Sequence, residues 1–249
     1  MQINEKKVKV LIIIPAYNEE ANIAEVIEHL TSQLMTETLD VDLSVDYLII
    51  NDGSRDSTLE ICNKQHFQYL NLPINLGIGG AVQAGYIYAG RNGYDIAVQM
   101  DGDGQHDISY LEDMLKPLLE DKADIVIGSR FLKKEGFQSS GMRRMGIKFL
   151  SCLIWFTTGK KIMDVTSGFR AVNKRFINIY VNDYPTDYPE PEAIVTAIMN
   201  RGRIMEVPVQ MRAREGGSSS ITFRKSIYYM IKVTLAILVC RLSYGVRRG

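Results

Sequence analysis

Val8-Lys9-Val10-Leu11-Ile12-Ile13-Ile14-Pro15-Ala16-Tyr17-Asn18-Glu19-Glu20 is the stretch on which the fold turns. Its first seven residues are β-branched or apolar apart from Lys9, with no polar alternation. A strand buried on both faces reads this way, and such strands belong to parallel sheets covered by helices. Pro15 has no N–H to give to a ladder, so the strand is expected to end at Ile14. Ile23, Val26, Ile27 and Leu30 then recur at helical spacing, giving a helix over 19–34.

The same strand, turn and helix unit repeats outward from this point. Val41 to Ile50 reads as a second strand, closed by Asn51-Asp52-Gly53-Ser54, and a helix follows over 57–66. A short strand near Tyr69, a helix over 78–89, a strand over 96–100, a helix over 110–119 and a strand over 125–128 continue the rhythm. The alternation predicts an α/β fold with a mainly parallel sheet flanked by helices. Beyond Arg130 the pattern changes. Residues 131–145 are polar, basic and glycine-containing and read as a surface loop. Helices over 147–157 and 174–180 are separated by DVTSGFR (164–170), and Pro185, Pro189 and Pro191 mark a rigid turn into a further helix. A strand over 204–211, the loop RAREGGSSS and an amphipathic helix from about Phe223 complete the chain.

Composition narrows the classes. The 249 residues carry 29 Lys+Arg against 29 Asp+Glu, with 46% hydrophobic residues, so a large core is available and disorder is not expected. Zero net charge offers no global case for nucleic-acid binding. Cys62, Cys152 and Cys240 are scattered and lack CxxC spacing, which argues against a disulfide framework or a thiolate zinc site and suits a reducing cytosol. No signal peptide is expected at the N-terminus, and the longest uncharged apolar run, Val233 to Cys240, falls well short of the roughly 20 residues a spanning helix needs.

In open α/β sheets ligands bind beyond the carboxyl ends of the strands. Three polar clusters fall there: Pro15 to Glu19, Asp52, and Asp101-Gly102-Asp103-Gly104-Gln105. Each aspartate alone reads equally well as a turn or cap residue. Together they point to one crevice. The Asp101-x-Asp103-x-Gln105 spacing sets out oxygen donors of the kind hard divalent cations take, with substrate phosphates completing the shell. An EF-hand is excluded, since its sixth position is His106 instead of glycine. His106 stands beside this cluster as a candidate lining residue, while His29 and His66 read as solvated helix residues. Gly77-Ile78-Gly79-Gly80 lacks a third fingerprint glycine at Val82 and reads as a helix N-terminus packed closely on the sheet.

PAYNEE, NDGSRDST, QMDGDGQH, GSRF and SGFR, in this order, resemble the family 2 nucleotide-sugar glycosyltransferases of GT-A fold. They are most similar to the branch with dolichol-phosphate mannose synthase and bacterial polyprenyl-phosphate glycosyltransferases. The resemblance covers about residues 8–215, which defines a catalytic unit over 1–215 and a C-terminal helix over 216–249. It implies that Pro15, Ala16, Tyr17, Glu19 and Asp52 hold the nucleoside, and that Asp101 lies by the ribose and metal. Asp103 and Gln105 would hold Mg²⁺ or Mn²⁺ on the diphosphate. It further implies that Arg130 and Arg170 face phosphates and that Arg212 and Arg214 belong to a lid; guanidinium forks suit such anions. A structural ion pair between Arg170 and Asp164 is the competing reading.

The implied reaction is an inverting displacement on a nucleotide-sugar donor. A hydroxyl acceptor, such as a growing surface polysaccharide, requires a general base, for which Asp164, Glu190 and Glu192 are candidates. A polyprenyl phosphate has a second pKa of about 6 and needs cations more than a base. YPEPEA (188–193) departs from the shorter dolichol-phosphate mannose synthase pattern and leaves the acceptor open between these. A sensor that binds nucleotide sugars and a nucleotidyl transferase are the alternatives from other classes. From Arg212 to Gly249 eight basic residues accompany one acid, which suits a peripheral helix on an anionic, cytoplasmic membrane surface. Docking on the core or on a second copy is its alternative.

Overall fold

A computed structural model describes residues 7–36, 43–133, 141–187, 189–211 and 223–246. Seven strands form one sheet: β1 (Val8–Ala16), β2 (Leu43–Asn51), β3 (Tyr69–Asn71), β4 (Ile96–Gln99), β5 (Ile125–Ser129), β6 (Arg170–Asn173) and β7 (Ile204–Pro208). Their order is β3-β2-β1-β4-β6-β5-β7, and every neighbouring pair is parallel except those of β6, which runs antiparallel to β4 and β5. The helices are α1 (Ile23–Thr36), α2 (Thr58–Lys64), α3 (Gly77–Arg91), α4 (Leu111–Leu119), α5 (Gly141–Thr158), α6 (Lys174–Asn182), α7 (Pro189–Met199) and α8 (Phe223–Val246).

The apolar run of β1 is used on both faces. Leu11 and Ile13 join a core with residues of α3, α5, α6, α7 and α8, whereas Val10, Ile12 and Ile14 join a second with α1, α2 and α4. The period of two along a strand makes this division automatic. Close approach of α3 to the sheet occurs at Gly85, where a Cβ would collide with the Ile13 side chain. The N-terminal Gly79, expected to serve that contact, instead abuts the Pro185 and Thr186 carbonyls.

Several boundaries differ from the expected ones for identifiable reasons. β1 runs through Pro15: Lys9 and Ile13 give their carbonyls to the β4 side, so the missing N–H of Pro15 faces that side beyond the last β4 pair, Ile13 with Gln99. α5 begins at Gly141, so GMRRM is helical where a loop was expected, and residues 134–140 lie outside the described part. β6 was hidden inside DVTSGFRAVN because four residues are too few to show a period. Pro189 and Pro191 occupy the first turn of α7, where a missing N–H costs nothing. The last strand stops at Pro208, and Met211 makes only an isolated bridge with His106. His66 lies past the end of α2 in the left-handed region, φ 55°, not on a helix face.

α8 is not amphipathic in the expected apolar and polar sense. Val233, Ile237 and Cys240 are buried against the α7 and α5 side, while Ile231, Leu235, Val239 and Leu242 are exposed on other faces. Among the described residues no helix is long and apolar enough to cross a membrane.

Candidate active site

The sheet order reverses direction of growth at β1, with β2 on one side and β4 on the other. The crevice lies at the carboxyl ends of these strands, as the switch-point rule requires. A cavity of about 410 Å³ opens there, and Pro15, Ala16, Tyr17, Glu19, Asp52, Asp101, Asp103 and Glu190 all contribute to its wall. Gln105 is not among the lining residues; its N–H donates to Asp103 Oδ1 at 3.1 Å and tightens the turn.

The first wall is stitched from the loops after β1 and β2. Asn18, held at φ 56°, donates its N–H to Ser54 Oγ at 3.0 Å and accepts from Arg55 N at 2.8 Å. Glu19 N donates to Thr58 Oγ1, and the Glu19 carboxylate accepts from Asn22 Nδ2 at 2.7 Å. Asp52 is buried and takes the Leu76 N–H at 2.7 Å. Burial raises its pKa, and the N–H groups of Leu76 and Gly77 oppose that rise. Gly53 is required beside it. With φ 64° and a would-be Cβ only 2.8 Å from Asn75 N, no larger residue fits the turn.

The second wall is the loop after β4. Asp101 N donates to His106 Nδ1 at 2.9 Å, and the His106 ring stacks on Phe169 with centroids 5.2 Å apart. His106 is buried and braces this loop from behind, lining a separate cavity of about 260 Å³ with His29, so it does not line the crevice. The Asp101 side chain is 37% exposed.

Glu190 of α7 closes the third side, and behind Asp101 lies the segment that enters the antiparallel β6. Register sets Arg170 opposite Gln99, so the loop that enters β6, Val165 to Phe169, arrives at the carboxyl end of β4. Arg130 and Asp164, both buried, form a fork-to-fork pair: Nε to Oδ2 and Nη2 to Oδ1 are each 2.7 Å. Arg130 N and Thr166 Oγ1 add to it. Glu206 of β7 takes the N–H groups of Met163 and Asp164, both at 2.8 Å. Arg170 does not pair with Asp164. Its guanidinium donates to the carbonyls of Ser167, Glu190 and Val165, at 2.8, 2.7 and 3.2 Å, and is buried. Both arginines therefore bond to protein groups, a role the sequence motifs do not distinguish from phosphate binding. Arg170 ties Glu190 at the head of α7 to the wall beside Asp101. Glu192 is half-buried on α7, and burial followed by Asp183 and Asp187 raises its pKa. It does not line the crevice. Arg212 and Arg214 lie outside the described residues.

The crevice thus has five carboxylates and, among its described lining residues, no lysine or arginine. Such a pocket repels a diphosphate until a cation intervenes. Asp101 and Asp103 supply hard oxygen donors, and no cluster of three or more His, Cys, Asp or Glu forms a complete cage among the described residues. That donor set suits a Mg²⁺-like ion, which is held by one or two carboxylates and shared with substrate phosphates.

Comparison with known proteins agrees with this geometry. Residues 11–181 match the model of the family "Glycosyl transferase family 2". A UDP-N-acetylglucosamine–dolichyl-phosphate N-acetylglucosaminyltransferase of Methanococcus voltae is 29% identical, covering 81% of this chain and 84% of its own. A polyprenol monophosphomannose synthase of Mycolicibacterium smegmatis is 28% identical over 90% of this chain and 85% of its own. Among solved structures, glucosyl-3-phosphoglycerate synthase from Mycobacterium tuberculosis, with Mn²⁺, UDP-glucose and glycerol 3-phosphate, superposes with a TM-score of 0.68. It is 18% identical, covering 94% of this chain and 80% of that one, a likeness of fold. With the match spanning β1 to α6 and the motif residues gathered around one crevice, the chain belongs to glycosyl transferase family 2.

Proposed function

We propose that the protein transfers a sugar, with inversion, from a nucleoside diphosphate sugar to a polyprenyl phosphate, in the synthesis of envelope glycolipids or polysaccharides. The observation that carries this reading is the crevice of five carboxylates, with no lysine or arginine among its described lining residues, which suits a donor diphosphate delivered with Mg²⁺ or Mn²⁺. In this reading Pro15, Ala16, Tyr17, Glu19 and Asp52 receive the nucleoside, and Asp101 and Asp103 hold the cation. Arg212 and Arg214, which lie outside the described residues, are assigned in the same reading to the diphosphate. When bound, the cation neutralises charge on the leaving diphosphate.

The acceptor follows from the chemistry left available. Asp164 is committed to Arg130 and is poorly placed to take a proton. A phosphate acceptor is already anionic: one oxygen attacks the anomeric carbon, and the bond to the diphosphate breaks with its electron pair leaving on that group. Two relatives are named for dolichyl phosphate and polyprenol phosphate acceptors, which supports the same choice. Glu190 is the carboxylate on the crevice that favours the second reading, a hydroxyl acceptor with Glu190 as base.

In this reading residues 1–215 are the catalytic unit, and the helix in 216–249, with α5, rests at the cytoplasmic face of a membrane. The two helices run side by side in parallel: Met230 reaches Gly146, and Arg241 Nε donates to the Thr157 carbonyl at 3.0 Å. Phe149, Trp155 and Phe156 of α5 and Leu235, Val239 and Leu242 of α8 are exposed, with Lys148, Lys160 and Lys161 nearby in sequence. Apolar surface with cations beside it suits an anionic lipid interface.

Incubation with UDP- and GDP-sugars, Mn²⁺ and a short polyprenyl phosphate tests the reaction. A lipid-linked sugar, lost on Asp103→Ala, is expected. Thermal stabilisation by a nucleotide sugar without its consumption would identify a binding module instead, and pyrophosphate release a nucleotidyl transferase.

A further inference from the structure

The Asp101 carboxylate lies against a residue that has no side chain, and His106 Nε2 stands 3.7 Å from its Oδ2. A Cβ built on Gly168 would lie 2.5 Å from Asp101 Oδ2, 2.8 Å from Oδ1 and 2.9 Å from Cγ, closer than any real Cβ contact. The bare Cα of Gly168 is therefore the surface against which the Asp101 carboxylate rests. Gly168 is not at positive φ, so its backbone does not require glycine; a side chain there would meet the Asp101 carboxylate.

The wall behind it is stiff. The Arg130–Asp164 pair fixes one end of the segment, and Arg170 holds the Val165 and Ser167 carbonyls. Phe169 N donates to Ser167 Oγ, and the Phe169 carbonyl accepts from Gly128 N at 2.9 Å. Phe169 stacks on His106, which in turn takes the Asp101 N–H. The Asp101 backbone and its carboxylate are thus gripped from two sides by one connected unit. When a methyl group intrudes on such a contact, the partner that gives way is the exposed end of a side chain, not the braced loop.

We propose that Gly168 is a positioning residue that aims the Asp101 carboxylate into the crevice, so that even alanine there turns the carboxylate away from the cation it serves. This rests on the reading of Asp101 as a cation-holding residue. Partners that orient metal ligands cost roughly 10–100-fold in metal affinity when lost, and Gly168→Ala is expected to weaken Mn²⁺ binding by that order.

The test is a Mn²⁺ titration followed by electron paramagnetic resonance, with UDP and in parallel GDP present, on the wild type, G168A, D101A and G168A/D101A. Metal-free melting temperatures are measured on the same four proteins. Weaker Mn²⁺ binding in G168A, with no further loss when G168A is added to D101A, supports the proposal, since Gly168 then acts through Asp101 alone. Wild-type Mn²⁺ affinity in G168A, or an additional loss in the double variant, overturns it. Should G168A fail to fold, the D101A background decides: removing the carboxylate removes the collision, so the double variant must melt as D101A does, and a double variant that also fails to fold overturns the proposal. Wild-type Mn²⁺ affinity in D101A would sink the donor-site reading and this inference with it, whereas loss in D101A with retention in G168A sinks the inference alone.

Discussion

The Arg130 guanidinium and the Asp164 carboxylate meet fork to fork, 34 residues apart in sequence, with both side chains buried. Two 2.7 Å contacts and a third from Arg130 N satisfy the carboxylate. The pair joins the end of β5 to the segment that backs Asp101.

Breaking this pair on one side leaves an uncompensated buried charge. Asp164→Ala is expected to lower unfolding free energy by about 3–5 kcal/mol, and an Arg130→Met, Asp164→Leu double variant to recover most of that. Denaturant unfolding of the three variants measures it. A loss below about 1 kcal/mol for Asp164→Ala would show that the pair is not a structural tie.

Gly79→Ala is expected to destabilise by about 1–3 kcal/mol, although alanine is the better helix former. The added methyl would meet the backbone oxygens of Pro185 and Thr186, which cannot swing aside as a side chain can. A raised melting temperature would show that the approach of α3 to the segment before α7 is not tight.

Glu192 carries a raised pKa because burial, Asp183 and Asp187 disfavour its charge. A carboxylate whose folded pKa is raised binds protons more readily when folded, so its ionisation subtracts stability as pH climbs through the usual carboxylate range and above. Glu192→Gln should therefore raise the melting temperature near pH 7 by about a degree or two, and the gain should vanish near pH 4. A variant that is destabilised at pH 7 contradicts the assignment.

Asp124 shows the opposite sign. Burial alone would raise its pKa, but donors from Arg203 and Asn173 outweigh it and the pKa is lowered. Its contribution is complete above the ordinary carboxylate range and is lost as pH falls through the lowered pKa. Asp124→Asn should cost about 1–3 kcal/mol at pH 7, with a flatter loss of stability between neutral and acid pH. Urea unfolding across that range is the measurement, and an unchanged acid limb would refute the linkage.

Phosphatidylserine vesicles at low salt are expected to sediment with the protein and to release it as salt rises. Each surface lysine contributes roughly 1 kcal/mol to such binding, so Lys148→Ala with Lys161→Ala should weaken it by more than about tenfold. Trp155→Ser with Phe156→Ser should weaken it at every salt concentration. Dimerisation without vesicle binding would assign the face to a second copy.

Much of the scaffold was open to reading because it depends on local pattern. The run from Val10 to Ile14 could only be satisfied by apolar cover on both faces, and the polar clusters at 15–19, 52 and 101–103 stood at strand ends, so their meeting in one crevice followed from topology. Gln105 and His106 sat in the same motif, yet one is a turn donor and the other a brace, because which side of a turn a residue faces depends on partners distant in sequence. The helical start of α5 was masked by its charges, which lie on a helix as readily as on a loop.

The sequence by itself determined the layered α/β fold, since hydrophobic period and turn chemistry act over a few residues, and its ordered motifs carried the family resemblance and most of the residues that line the crevice. Only the tertiary structure decided what Arg130, Asp164, Arg170 and Gly168 do. An antiparallel four-residue strand brings their segment against Asp101, and the contacts that engage two arginines and set Gly168 against a carboxylate are made across that junction. Such roles are set by distances between side chains far apart along the chain, and no local pattern encodes them.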